Sequence, residues 1–263
     1  MRPSPLFLAA IVACAPADRV AWTSLGSRDG DSLPEELGVV TAPANFGPGT
    51  LEPPQRGDAC PGSVRTAASG ASGTERYTAW WAPRPDSTAW LLAARSVDGG
   101  KTWEVPQAVD TLDMVTRGCA RPAPSIAVDS AAGYVHVAYS MRAPEGAGVF
   151  FSHSMDRGRL FHSPVPIVYG ERLSETAIAV LRDTIAIAFV DPNMRVPRVG
   201  LAFSRTMGHV FEDRLEVPGG RGSASAPRVA LAPGRVAVAW IERDPTGAPR
   251  AVVREGTRRS AVP

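Results

Sequence analysis

Four short β-prone runs recur along this chain at a nearly constant interval, which confines it to a repeated sheet unit. Tyr77-Thr78-Ala79-Trp80-Trp81, Tyr134-Val135-His136-Val137-Ala138-Tyr139, Thr184-Ile185-Ala186-Ile187-Ala188-Phe189 and Arg235-Val236-Ala237-Val238-Ala239-Trp240 begin 57, 50 and 51 residues apart. They combine small residues with aromatic ends, a composition that suits strands. Each is preceded by another short run: Thr66-Ala67-Ala68, Ile126-Ala127-Val128, Ile178-Ala179-Val180 and Val229-Ala230-Leu231. The first three are followed by a third run, such as Val149-Phe150-Phe151, and a fourth, such as Val165-Pro166-Ile167-Val168. A repeat of this length marks units that bury their faces only by stacking on one another. High glycine and proline, 25 of each in 263 residues, suits many turns between short strands better than long helices.

A second landmark keeps step with the first. Ser96-Val97-Asp98-Gly99-Gly100-Lys101-Thr102-Trp103 reads as a turn between strands. Asp98 can accept backbone N–H bonds, Gly99 and Gly100 can take positive φ, Ser96 and Thr102 can tie the ends, and Trp103 can pack over the turn. Echoes follow at Ser154, Asp156, Gly158 and Phe161, and at Ser204, Gly208 and Phe211, where Thr206 replaces the aspartate. The pattern resembles the Asp-box of the sialidase and BNR-repeat β-propellers. The resemblance implies an all-β fold of four-stranded antiparallel blades, with the boxes on the outer hairpins, away from the channel. Asp98 is then structural, and its replacement is expected to lower stability while leaving ligand binding intact.

Blades are expected at 63–112, 121–170, 173–220 and 225–263, so residues 63–263 form the propeller. The last blade lacks a box and an outer strand. Residues 15–62 hold strand-like Arg19–Thr23 and Leu37–Thr41 around a possible decayed box, Ser27–Asp31. They are expected to close the ring by joining the C-terminal strands in one blade. The count is four blades, or five if residues 15–60 form most of another. Residues 42–61, rich in proline and glycine, read as a linker. Sialidases of the family use six blades.

Residues 1–14 read as a targeting segment: Arg2, then the apolar Leu6–Ala13, too short to span a bilayer. Ile11-Val12-Ala13-Cys14 resembles a bacterial lipobox, which implies lipidation of Cys14 and an envelope location through a membrane anchor. The alternative is an ordinary secretory signal with an incidental cysteine. Export permits disulfides. Cys60 and Cys119 precede the inner runs of adjacent blades by similar intervals, and a disulfide between them is expected; two buried free thiols are the alternative. The formal net charge of +2 gives no argument for a nucleic-acid partner.

Chemistry in such a fold belongs at a channel mouth. Aligning the inner runs puts Arg65, Ser125, Ala177 and Arg228 at equivalent positions, with Arg121 and Glu175 slightly upstream. Arg65, Arg121 and Arg228 are candidates for holding a carboxylate by bidentate hydrogen bonds, the role of the sialidase arginine triad; ordinary loop contacts and salt bridges are the other reading. The family's Arg-Ile-Pro type motif has no match, and Ser63-Val64-Arg65-Thr66 is the nearest place. The resemblance also implies a tyrosine nucleophile paired with a glutamate, for which Tyr169 with Glu171 or Glu175 are the candidates. His136, His153, His162 and His209 lack metal-ligand spacing, and His153 and His162, flanking a box, are expected at the surface. No metal or cofactor is expected. There is no Gly-x-Ser-x-Gly elbow and no phosphate loop. The expected function is a glycan- or protein-binding module in the envelope. The alternatives are an exo-α-sialidase or related glycoside hydrolase, and a propeller completed by a partner chain.

Overall fold

The computed structural model describes residues 20–23, 26–30, 33, 59–69, 74–212 and 214–258. In chain order the strands are β1 (Val20–Trp22), β2 (Gly26–Asp29), β3 (Arg65–Ser69), β4 (Glu75–Pro83), β5 (Ala89–Ser96), β6 (Gln107–Asp110), β7 (Ser125–Asp129), β8 (Tyr134–Ala143), β9 (Gly146–Ser154), β10 (Val165–Tyr169), β11 (Thr176–Leu181), β12 (Thr184–Val190), β13 (Val199–Ser204), β14 (Arg214–Glu216), β15 (Ser223–Ala232), β16 (Arg235–Arg243) and β17 (Pro249–Arg258). They make four antiparallel sheets. Three are simple meanders, β3 to β6, β7 to β10 and β11 to β14. The architecture is all-β, with four propeller-type blades among the described residues.

The fourth blade draws on both ends of the chain. β15, β16 and β17 supply three strands, and β1 and β2 lie end to end along β17 as its outer edge. Val20 stands opposite Arg258 and Trp22 opposite Gly256; Gly26 then faces Val253 and Asp29 faces Arg250. This register corrects one expectation and meets another. Ser27–Asp29 is strand rather than a decayed box turn, because its backbone is used in pairing with Arg250–Val252. The described strands of residues 20–29 join the C-terminal strands in the fourth blade, as expected. The strand expected at Leu37–Thr41, and Cys14 with its lipobox, lie outside the described residues.

The middle strands of the second and third blades are apolar on both faces because those sheets are stacked between others. Val135–Met141 of β8 and Thr184–Phe189 of β12 are buried without a break, as continuous apolar runs in a sheet stack should be. Between the first and second blades, Tyr77, Trp81 and Leu91 meet Val135, Val137 and Tyr139. Between the second and third, Val149, Phe151 and Ile167 meet Ile178, Ile185 and Ile187. Between the third and fourth, Ala186, Ala188 and Leu201 meet Val229, Val238 and Trp240. Pro166 sits on the outer strand β10, where a register shift follows it, one of the few places a sheet tolerates a residue without an N–H.

The Ser96 turn and its two echoes adopt one geometry. In the first, Asp98 Oδ1 accepts from Ser96 Oγ at 2.8 Å and from the N–H groups of Lys101 and Thr102 at 2.9 Å, while Oδ2 accepts from Thr102 Oγ1 at 2.6 Å. Those bonds, Thr102's first, hold the Asp98 carboxyl far below the usual carboxylate range. Asp156 repeats the pattern with Ser154 and the N–H groups of Arg159 and Leu160. In the third turn Thr206 Oγ1 accepts from Val210 N–H at 2.9 Å, standing in for the missing carboxylate. In all three, the serine Oγ accepts from the glycine four residues on, at 2.8 to 2.9 Å.

The second and third turns also lock blade to blade. Gly158 (φ +79°) lies over Tyr77 of the first blade, and a Cβ there would be 3.5 Å from the ring. Gly208 (φ +91°) is seated so closely on Phe151 of the second blade that a Cβ would lie 2.3 Å from Cε1. Phe211 then meets Phe151 edge-on at 5.0 Å, and Phe161 packs against the cluster between the first two blades. His153 is buried, contrary to expectation, because this docking covers it. The disulfide between Cys60 and Cys119 is formed, joining the loops that enter the first and second blades.

Candidate binding face at the strand entries

β3, β7, β11 and β15 are the innermost strands of the four blades, and the loops delivering the chain to them share one end of the molecule. Their registers coincide. Arg65, Ser125, Ala177 and Arg228 pair respectively with Ala79, Ala138, Ala188 and Ala239. An alanine therefore stands opposite each entry position, and the two arginines occupy matching sites in the first and fourth blades.

The two differ in setting. Arg65 Nη1 donates to Gly62 O at 2.9 Å and Val64 O at 2.8 Å, folding its guanidinium over its own entry loop. Arg228 follows a register shift in β15 that lies between Ser225 and Arg228. Ala226, inside that bulge, has φ +49°, and its N–H donates to Glu175 Oε2 at 2.5 Å. Glu175 thus ties the entry of the third blade to the bulge of the fourth, two residues from Arg228. Burial pulls the pKa of both Arg65 and Arg228 below the ordinary arginine value, yet an arginine remains cationic.

The second and third blades contribute hydroxyls. Ser125 Oγ and Thr176 Oγ1 lie 3.1 Å apart, and both donate toward Ala138 O at 3.1 Å. They stitch β7 to β11 at the same level as the arginines.

Arg121 sits elsewhere. Its side chain is 0% exposed and that of its partner Asp113 1%. Nε and Nη2 lie 2.7 and 2.6 Å from Asp113 Oδ2, Nη2 also donates to the carbonyls of Val115 and Ser87, and the guanidinium lies 5.9 Å over Trp81. Arg121 therefore lies in the wall between the first two blades, with one nitrogen, Nη1, lacking a partner. The same wall holds Tyr139, whose hydroxyl donates to Asp110 Oδ2 at 2.5 Å. Burial pushes the Asp110 carboxyl up, opposed by the Tyr139 bond, and pushes the Tyr139 phenol well above its ordinary value. Sequence pattern does not single out these pairs. The one available signal is two aspartates, Asp110 at the end of β6 and Asp113 just beyond it.

Tyr169 and Glu175 are on different radii. Tyr169 ends β10, the outer strand of its blade, is 47% exposed, and rests edge-on against Phe150 at 6.0 Å. Glu175 lies just before an inner strand. Three strand spacings of about 4.8 Å separate outer from inner strands, so the six-residue connection carries the chain across the blade instead of folding the two side chains onto one point. Among the described residues no group of three His, Cys, Asp or Glu is arranged to hold a metal ion.

No family model matches the chain, and no curated protein matches it. Among solved structures, the chain is similar to a sialidase of Trypanosoma rangeli in complex with 2,3-difluorosialic acid, at 11% identity, 72% of this chain, 30% of that one and a TM-score of 0.48. It is similar to an exo-1,5-alpha-L-arabinanase from a bovine ruminal metagenomic library, at 11% identity, 74% of each chain and a TM-score of 0.47. A NanB sialidase mutant from Streptococcus pneumoniae matches at 11% identity, over 73% of this chain and 30% of that one, with a TM-score of 0.47. At such identity no residue's role carries over.

Proposed function

We propose that the chain is a binding module for an anionic glycan, engaged at the end of the molecule where the inner strands begin. The observation that supports it is the matched register of Arg65 and Arg228, half-buried cations at equivalent entries of two blades. Between them in chain order, Ser125 and Thr176, whose hydroxyls donate to Ala138 O, offer oxygen acceptors for sugar hydroxyls, a mixture suited to a sugar bearing a carboxylate. An acidic protein segment presents the same carboxylate chemistry and is the alternative ligand. Export and a lipid anchor at Cys14 belong to the same proposal and would place the face in the cell envelope.

Titration calorimetry with sialyllactose and with neutral lactose tests it. Arg228→Ala and Arg65→Ala should each weaken the acidic sugar about 10- to 100-fold, the worth of a charge-assisted bond, and leave neutral lactose unaffected. Equal affinity of both variants and the parent for sialyllactose would remove the reading. A hydrolase is the second reading because two of its three candidate arginines stand at inner-strand entries. Fluorophore release from a sialoside, abolished by Arg228→Ala, would decide for it. The position of Tyr169 on an outer strand favours binding without turnover.

A further inference from the structure

All four histidines of the chain meet at one place, the seam where the Ser204–Phe211 turn of the third blade docks on the second. His136 on β8 stacks against Phe151 at 5.9 Å, and His153 on β9 lies 6.1 Å from His136. His162, just past the second turn, stacks on His153 at 4.7 Å, and His209, from the third blade's turn, meets it edge-on at 4.9 Å. His136 and His153 are buried, while His162 and His209 are exposed and cover them. His136 Nδ1 and His153 Nε2 are buried without a hydrogen-bond partner. The turn itself is held by contact with this ring stack: a Cβ on Gly208 would strike Phe151 and come within 3.3 Å of His153 Nδ1.

We propose that this cluster is an acid-operated latch: neutral imidazoles keep the third blade's turn seated on the second blade, and protonation unseats it. Among the described residues, the surroundings supply no counter-charge. Of the charged groups on the packed elements, Asp156 is committed to Ser154 and its own turn, and Arg157 acts on Glu75 of the first blade. Arg205 is paired with Glu212, and Arg258 lies over Phe203. Arg159 belongs to the second turn, Arg182 and Asp183 form the β11–β12 hairpin, Asp129 ends β7, and the Tyr134 ring meets His136 edge-on at 6.4 Å. The ionisable groups that act on His136 and His153 are other histidines. A proton on His153 would meet no acceptor at Nε2 and two imidazole neighbours, at 4.7 and 4.9 Å between ring centres.

The direction of the effect follows from burial. Desolvation pulls His136 down to about 3 and His153 down to about 4, from an ordinary 6.5. An unseated turn lets both take protons below about pH 6.5, whereas the seated form refuses them. The latch is therefore at full strength above that pH and weakens steadily as pH falls toward 4. Each proton bound only by the open form raises the opening constant about tenfold per pH unit, so two give about 100-fold per unit.

Amide hydrogen exchange between about pH 7.5 and 5, corrected for intrinsic rates, reads this opening directly. Protection of β13 and the following turn should fall by up to about 100-fold per unit below about pH 6 while that of the fourth blade holds. His153→Phe keeps an aromatic ring that cannot be protonated and should cut the dependence to about tenfold per unit. If that variant fails to fold, NMR titration of the histidine Cε1–H signals in the unaltered protein decides instead. His136 and His153 should stay neutral until opening begins. Titration of those two near the ordinary value of about 6.5 with protection unchanged, or loss of protection in all four blades together, overturns the proposal.

Discussion

Replacing single glycines in the three repeated turns separates the strain of a left-handed backbone from the packing of one blade on the next. Gly99, one residue before the position that Gly158 and Gly208 share, has φ +80°, and nothing lies within 4 Å of the place an added methyl would take. Gly99→Ala therefore carries only the left-handed penalty, about 1–2 kcal/mol. Gly158 has φ +79° and a methyl there would touch Tyr77 at 3.5 Å, an ordinary van der Waals distance, so Gly158→Ala should cost the same. Gly208 adds a collision. Its methyl would sit 2.3 Å from Phe151 Cε1, more than about 1 Å inside normal carbon–carbon contact. Phe151 is itself fully buried among Val149, Ile167 and Ile178 and has little room to turn away. Overpacking of this kind costs about 1–3 kcal/mol, which brings Gly208→Ala to about 2–5 kcal/mol in all. Urea unfolding of the oxidised protein measures the three losses as midpoint shifts at constant slope. Equal losses at all three glycines would refute the claim that the third turn is seated on the second blade, and with it the structural basis of the latch.

Two further perturbations probe the wall between the first and second blades. Cys60 and Cys119 close a loop of 59 residues in sequence separation, for which chain entropy sets a contribution of about 4 kcal/mol; the Cys60→Ser, Cys119→Ser double variant should lose about that much in urea, and an unchanged midpoint would show the bridge to be absent in solution. Asp113→Ala would leave the Arg121 guanidinium buried without its carboxylate, a loss of about 3–5 kcal/mol, whereas Asp113→Leu combined with Arg121→Met should recover much of it; a single variant as stable as the parent would place that pair in water.

Legibility of the candidate face is uneven for identifiable reasons. The equivalence of Arg65, Ser125, Ala177 and Arg228 can be read because it needs only strand period and spacing, and the four alanines opposite them share that period. The place of Arg121 cannot. It lies only four residues before Ser125 in sequence, yet its guanidinium is engaged by Asp113, a partner from the preceding outer-strand connection. Only the family resemblance makes Glu175 a candidate partner of Tyr169, and its carboxylate meets a bulge N–H of another blade; a bulge leaves no periodic trace. The histidines illustrate the same limit. Their spacing matches no ligand motif, and only the docking of one blade's turn on the next brings His209 to His153.

What the chain's sequence determined by itself is the unit: a run of about fifty residues whose β-prone segments share small residues and aromatic ends, closed in the first three by a Ser-x-Asp or Ser-x-Thr turn. These are local matters of strand period and of side chains bonding to amides within four residues, and they need no distant partner. Tertiary structure decided which strand finishes the fourth blade, which of the arginines stand at the strand entries, and which histidines are hidden. Each of those depends on contacts between segments far apart in sequence, β1 with β17, Arg121 with Ser87, Gly208 with Phe151, where the outcome rests on how closely two surfaces fit. The repeat dictates the blade; the stacking of blades decides what each residue in it can do.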